Sequence, residues 1–348
     1  MRTDRCEVVV VGAGVVGLAT ARALERSGRD VIVLEQFAVG HERGSSHGSS
    51  RIFRFAYNDP EWVRLAQESL PLWRELEAES GAELLTLTGS IDTGRDPAPL
   101  CGALEDRGAS FELLEPVDVE RRFGLRLRGR AVYQAEGGVA WAERTLEALA
   151  SGLKIEEGRK ALTLTPGPEG IDVETASGSV QARAAVVCAG AWAHPLLAMA
   201  GVELPVRVTR ETVAYFQLGP CTALPSLIDW AGTPECPGVQ VYALDAGDGR
   251  LKAALHHAGP EADPSQLGTP DAAAVASVAG WAAGSFDLAS PEPLTAETCL
   301  YTSTADESFV LERHGPIVVG SACSGHAFKF APAIGARLAA LAAEALTS

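Results

Sequence analysis

No two of the seven cysteines (Cys6, Cys101, Cys188, Cys221, Cys236, Cys299 and Cys323) stand in a C-x-x-C spacing, and their number is odd. That lack argues against a disulfide framework or a cysteine zinc site, so no metal is expected. Positive charge is also short. Against 45 Asp and Glu there are 29 Lys and Arg, a formal net charge of -16, the wrong sign for gripping a phosphate backbone. Nucleic acid is therefore not an expected partner. A long hydrophobic run is missing as well: the longest uncharged stretch, 184–202, holds Gly190, His194, Pro195 and Gly201 and reads as strand, turn and short helix rather than a membrane span. The first strand-like segment follows the opening residues with no apolar leader between them, which gives the expectation of a cytoplasmic protein with no membrane partner. Internal repeats, coiled-coil heptads and low-complexity segments are absent too. What is present is 348 residues, 47% hydrophobic, enough to bury a large core in one large domain or two.

Glu7-Val8-Val9-Val10-Val11 is a β-branched run, followed by glycines and then an Ala/Leu-rich stretch, 16–26, with helical spacing. Ser27-Gly28 stops that helix, and a second strand runs over 30–35, completing a βαβ unit. The spacing of Leu65, Leu72, Trp73 and Leu76 predicts an amphipathic helix over 62–81. Short strand-like runs between Pro/Gly-rich turns fill 84–135 and 206–299 and suggest a second domain with an antiparallel sheet. Strands over 154–173 and 180–191, another over 316–320 and a helix over 334–346 return to the first domain, which is thereby discontinuous. The expected fold class is α/β: a discontinuous Rossmann-type domain (1–83, 136–205 and 300–348) and an α+β substrate domain with a mainly antiparallel sheet (84–135 and 206–299).

Gly12-Ala13-Gly14-Val15-Val16-Gly17 is G-x-G-x-x-G placed between a strand and a helix. Gly12 permits the tight turn, Gly14 lets a pyrophosphate approach the backbone, and Gly17 lets helix and strand pack closely. Glu35, at the end of the second strand, offers its carboxylate to an adenosine ribose. The pattern marks a dinucleotide and does not separate NAD from FAD.

The stretch Gly44-Ser45-Ser46-His47-Gly48-Ser49-Ser50-Arg51-Ile52-Phe53-Arg54-Phe55-Ala56-Tyr57 resembles the segment after the second strand in the monomeric sarcosine oxidase and N-methyltryptophan oxidase family of D-amino-acid-oxidase-like flavoproteins. The resemblance continues through Gly190-Ala191-Trp192, Cys299-Leu300-Tyr301-Thr302 and Ser324-Gly325-His326-Ala327-Phe328-Lys329-Phe330, in order across nearly the whole chain. It implies FAD as the cofactor, held covalently through a thioether from Cys299, with His47, Arg51, Gly325 and Lys329 beside it. It further implies that Arg54 and Lys329 hold a substrate carboxylate, that Lys252 promotes reaction with dioxygen, and that Tyr242, His256 and Tyr301 surround the amine. Taken without the resemblance, Cys299 reads as a buried free thiol, Arg54 and Lys329 as solvated cations, His47 as a turn residue and Lys252 as an edge charge. The activity implied is oxidation of a secondary amine carrying a carboxylate (sarcosine, another N-methyl amino acid or a cyclic imino acid) by a monomer, with hydride passing to flavin and then electrons to dioxygen, giving hydrogen peroxide. Two alternatives stay open: a dehydrogenase of the same fold that serves a protein or quinone acceptor, and a flavin-binding subunit without turnover.

Overall fold

The computed structural model describes residues 2–220, 224–321 and 323–347; Cys221 lies outside the described residues. Strand β1 (Arg2–Val11), helix α1 (Val15–Arg26) and strand β2 (Val31–Leu34) form the βαβ unit, with β1 and β2 parallel and Val8 opposite Val31. The sheet they belong to has eight strands. Its main path runs Ala161–Gly167, Gly170–Thr175, Gly178–Val187, β1, β2, Ile155–Glu156. The strand Gly178–Val187 shows how local patterning directs topology. Its first half alternates buried and exposed residues and pairs antiparallel with Gly170–Thr175. Its last four residues, Ala184 to Val187, are all buried and pair parallel with β1 on one side and Ile317–Ser321 on the other. Alternation suits a sheet wet on one face, and continuous apolar sequence suits parallel strands covered on both. One cover is α1 with the helix Ala331–Ala345, burying Leu18, Leu24, Ile334 and Leu338; the other is the helix Ala193–Met199, burying Leu196 and Leu197 against Val9 and Val187. Among the described residues no helix is long and apolar enough to cross a membrane.

The second sheet, also of eight strands, runs Thr295–Ser303, Arg207–Gln217, Arg250–Leu255, Val241–Gly247, Ser226–Asp229, Ser90–Thr93, Ala131–Gln134, Glu112–Leu114. All its neighbours are antiparallel except Ser226–Asp229 with Ser90–Thr93. A three-stranded sheet joins β3 (Ser50–Phe53) to Gly138–Trp141 and Leu85–Thr86. The chain is thus α/β, with two large sheets of mixed strand direction.

Several boundaries differ from the sequence expectation for identifiable reasons. Helix α2 (Pro60–Ser80) starts two residues early because Asp59 caps it, accepting the Glu61 N–H, and Pro60 occupies its first position. The last helix begins at Ala331 rather than 334, with Pro332 tolerated in its first turn. The tracts read as strands and turns also contain the helices Ala98–Asp106, Pro116–Phe123 and Ala272–Ser285. The last is small-residue rich and has little amphipathic pattern. Asp271 starts it by accepting the N–H groups of Ala273 and Ala274, and Trp281 anchors it on the second sheet.

Candidate functional site

A cavity of about 610 Å³ lies where the carboxyl ends of the first sheet's strands meet one face of the second. Period-two alternation in Arg250–Leu255 explains that face: Leu251, Ala253 and Leu255 join the core under the helix Ala272–Ser285, while Lys252 points the other way, into the cavity, as does His256 just beyond the strand. Cys299 and Tyr301, two apart on Thr295–Ser303, line the cavity as well. Of the residues singled out from sequence, Gly12, Gly14, Glu35, His47, Arg51, Arg54, Tyr242, Lys252, His256, Cys299, Tyr301, Gly325 and Lys329 all line this one space. Gly17 does not; it lies under the Gly12 carbonyl, where a Cβ would collide, and so lets α1 pack closely.

At the first-sheet end, Gly12 adopts φ +105° and turns tightly against the Cys188 carbonyl, its N–H bonded to Leu34 O at 2.8 Å. The buried Glu35 carboxylate accepts the Ala13 N–H at 2.8 Å and the Phe37 N–H at 2.9 Å, which fixes it at the mouth of the turn. Ser46 Oγ accepts the Val15 N–H, and no acidic side chain occupies the first turn of α1, so the helix N-terminus is open to an anion.

In the middle, Arg51 curls the 44–51 segment by donating to the carbonyls of Ser45, His47 and Ser50. Burial, reinforced by Arg51, pushes His47 down to about 4, so it is neutral, and its Nε2 is enclosed without a protein partner. Burial pushes the Cys299 thiol up to about 11, against the opposing pull of Arg51 and Lys252. Lys252 Nζ donates to Ser50 O at 3.4 Å and sits 3.9 Å from Glu297 Oε1. Burial, then Arg51, bring it down to about 7, and Glu297 limits the fall.

At the far end, His256 Nδ1 lies 3.3 Å from the Tyr301 hydroxyl, with Tyr242 edge-on to the imidazole and Gly325 packed on both the Tyr301 and His256 rings. Burial, with His257 next, keeps His256 neutral. Lys329 is placed by the short turn Ala327–Phe330, whose Lys329 carbonyl accepts the Trp73 indole N–H from α2 at 2.8 Å. Its ammonium donates to Tyr57 OH and His326 O, both at 2.9 Å, and burial, then Arg54, lower its proton affinity strongly. Arg54 stacks over the Tyr57 ring, 4.4 Å from its centre. It is not a free fork: its Nη1 donates to Asp92 Oδ1 at 3.1 Å in a buried ion pair, and although burial works against the cation, Asp92 raises its proton affinity.

Sequence reading missed Asp92, Tyr57 and Glu297 as contributors. Glu297 could have been found, since it stands two before Cys299 and shares its strand face, whereas nothing local links Asp92 to Arg54. His256, His257 and Glu307 offer ligand atoms within 4.8 Å of one another and are the group among the described residues that could hold a metal ion, although His256 Nδ1 is already engaged with Tyr301.

A family model described as FAD dependent oxidoreductase (DAO) matches residues 7–341. Human peroxisomal sarcosine oxidase is 33% identical over 95% of this chain and 90% of its own length. Monomeric sarcosine oxidase of Streptomyces avermitilis is 33% identical over 98% and 94%. Among solved structures, NikD, an unusual amino acid oxidase essential for nikkomycin biosynthesis, superposes with a TM-score of 0.89 at 29% identity, over 98% of this chain and 94% of that one. A match of this length, falling on the same glycine turn and cavity, means that the chain belongs to the DAO family and is an FAD-dependent oxidoreductase.

Proposed function

We propose that the chain oxidises the CH–NH bond of a secondary amine bearing a carboxylate, namely sarcosine, another N-methyl amino acid or a cyclic imino acid, to an imine, with dioxygen reduced to hydrogen peroxide. The observation that carries this reading is the pairing, in one cavity, of a dinucleotide turn with two buried basic side chains, Arg54 and Lys329, both against Tyr57. FAD, when bound, would supply the hydride acceptor and the redox chemistry that links the amine to dioxygen.

The residues present fit that cofactor. Gly12 and the open start of α1 suit a pyrophosphate, Glu35 retains lone pairs for a ribose, and the enclosed His47 Nε2 needs a polar partner that a flavin ring offers. Cys299 is proposed as the covalent tether, with Arg51, His47, Gly325 and Lys329 alongside. Arg54 and Lys329 would hold the substrate carboxylate; with Asp92 neutralising Arg54, the incoming carboxylate would favour the charged form of Lys329, which burial and Arg54 disfavour. Tyr242, Tyr301 and the neutral His256 would steer an unprotonated amine, whose lone pair drives hydride release. Lys252, when charged, would stabilise the negative charge that develops on dioxygen.

The names of its relatives, among them monomeric sarcosine oxidase and an N-methyl-L-tryptophan oxidase of Escherichia coli, support the substrate class. We also propose that the protein acts as a cytoplasmic monomer, divided into a cofactor domain (1–83, 136–205 and 300–348) and a substrate domain (84–135 and 206–299). Anaerobic mixing of the yellow holoenzyme with a panel of N-methyl and cyclic amino acids tests the reading. Bleaching by a member, then recovery in air with one peroxide per turnover, is the expected result. Bleaching with slow recovery and no peroxide would transfer the chain to the acceptor-linked dehydrogenases, and no bleaching by any member would leave a flavin-binding subunit.

A further inference from the structure

Arg95 lines the cavity at its Arg54 end and has had no role so far. Its position is built. The strand Ser90–Thr93 ends at Gly94, which adopts φ +83° and is pressed so closely to Asp229 and the backbone of Trp230 and Ala231 that no side chain fits there. That turn delivers the Arg95 guanidinium onto the indole of Trp230, 3.5 Å above the ring centre. The indole is itself fixed, Nε1 donating to Asp92 Oδ1 at 3.1 Å. Stacking holds a planar cation without consuming its in-plane donors. Arg95 is half-buried, its Nε is enclosed without a hydrogen-bond partner, and among the described residues no carboxylate forms an ion pair with it. In a chain with 45 acidic residues, a half-buried guanidinium left unpaired beside a cavity needs an explanation.

Counting charge at this end gives one. Arg54, Arg95 and Lys329 all feel the same buried carboxylate, Asp92, which is already bonded to Arg54. Other acids lining the cavity are engaged elsewhere: Asp59 caps α2, Asp306 accepts from Ser308, and Glu307 faces His257. One substrate carboxylate between Arg54 and Lys329 still leaves Arg95 uncompensated.

We propose that Arg95, held on Trp230, is a subsite for a second anionic group of the substrate, so that the preferred amine is a dicarboxylate: an N-alkyl amino acid with an acidic side chain. The inference rests on the amine-oxidising reading of the cavity and narrows its substrate class. Arg95 selects between substrates rather than taking part in hydride transfer.

The test compares near-isosteric pairs on the holoenzyme, N-methylaspartate with N-methylasparagine and N-methylglutamate with N-methylglutamine, in wild type, Arg95→Gln and Arg95→Lys. Wild type is expected to favour the acid of at least one pair by about tenfold or more in kcat/KM, the size of one charge-assisted contact. Arg95→Gln brings that ratio to about one, and Arg95→Lys restores part of it. A wild-type ratio near one in both pairs, or a ratio that survives in Arg95→Gln, overturns the proposal. Calorimetric titration with succinate and with its half-amide provides a readout independent of turnover. Tighter binding of succinate that disappears in Arg95→Gln supports the subsite even if no amine bleaches the flavin, in which case only the oxidase reading falls. Equal binding of succinate and the half-amide by wild type removes the subsite whatever the oxidase result.

Discussion

Glu297→Gln isolates the charge on Lys252 with almost no change in shape, because the new amide oxygen can still accept the Tyr215 hydroxyl that Glu297 Oε1 now holds. At 3.9 Å, a carboxylate and an ammonium attract by about 4 kcal/mol in a surface-like effective dielectric of roughly 20 and by about 1 kcal/mol in water. The Glu297 side chain is 32% exposed, so the lower part of that range applies, and about 1.4 kcal/mol, or one pK unit, is a fair figure. Lys252, now down to about 7 through burial and Arg51, then falls to roughly 6. The sign follows from the lysine being charged below its pKa: if Lys252 serves dioxygen as proposed, wild-type reoxidation should be faster below about pH 7 and slower above it. At pH 7 the charged fraction drops from about one half to about one tenth in the variant, a roughly fivefold slower reoxidation. Stopped-flow mixing of the reduced holoenzyme with dissolved oxygen across pH 6 to 9 measures this directly, and anaerobic reduction by substrate serves as the control. A reoxidation rate independent of pH over that range, or an inflection that Glu297→Gln leaves in place, refutes the reasoning.

Four further outcomes are expected. Cys299→Ala should release its flavin into the supernatant on acid precipitation, whereas the wild-type pellet stays yellow; a yellow variant pellet assigns the tether elsewhere. Lys329→Met should lower kcat/KM for a carboxylate-bearing amine by roughly thirtyfold, about 2 kcal/mol, and spare a matched uncharged amine, and equal losses on both would remove Lys329 from the clamp. Because burial and Arg54 lower the proton affinity of Lys329 and only its charged form attracts a carboxylate, the wild-type KM for carboxylate amines should rise with pH. Asp92→Ala leaves the Arg54 cation buried and unpaired and should cost about 3–5 kcal/mol of stability, read as a lower urea midpoint; a midpoint within error of wild type would mean that Arg54 finds water on its own.

The amino-acid sequence by itself determined the local features: the glycine turn between β1 and α1, the switch from alternating to continuous apolar residues in Gly178–Val187, and the strand alternation that sends Lys252 and Leu251 to opposite sides. Each depends on residues within a few positions of one another, where backbone geometry and side-chain period act directly. The helix Ala272–Ser285 escaped because its small residues carry little period, and its placement comes from Trp281 docking on a sheet formed elsewhere. The residues named from sequence through ordered motifs, Gly17 apart, line one cavity, but their electrical state was not legible. Only the tertiary structure brought Asp92 to Arg54 across 38 positions, set Lys329 under the Trp73 indole 256 positions away and left Arg95 on Trp230 without a counter-ion. Desolvation and pairwise charge depend on distance in space and on exclusion of water, quantities with no trace in residue spacing along the chain.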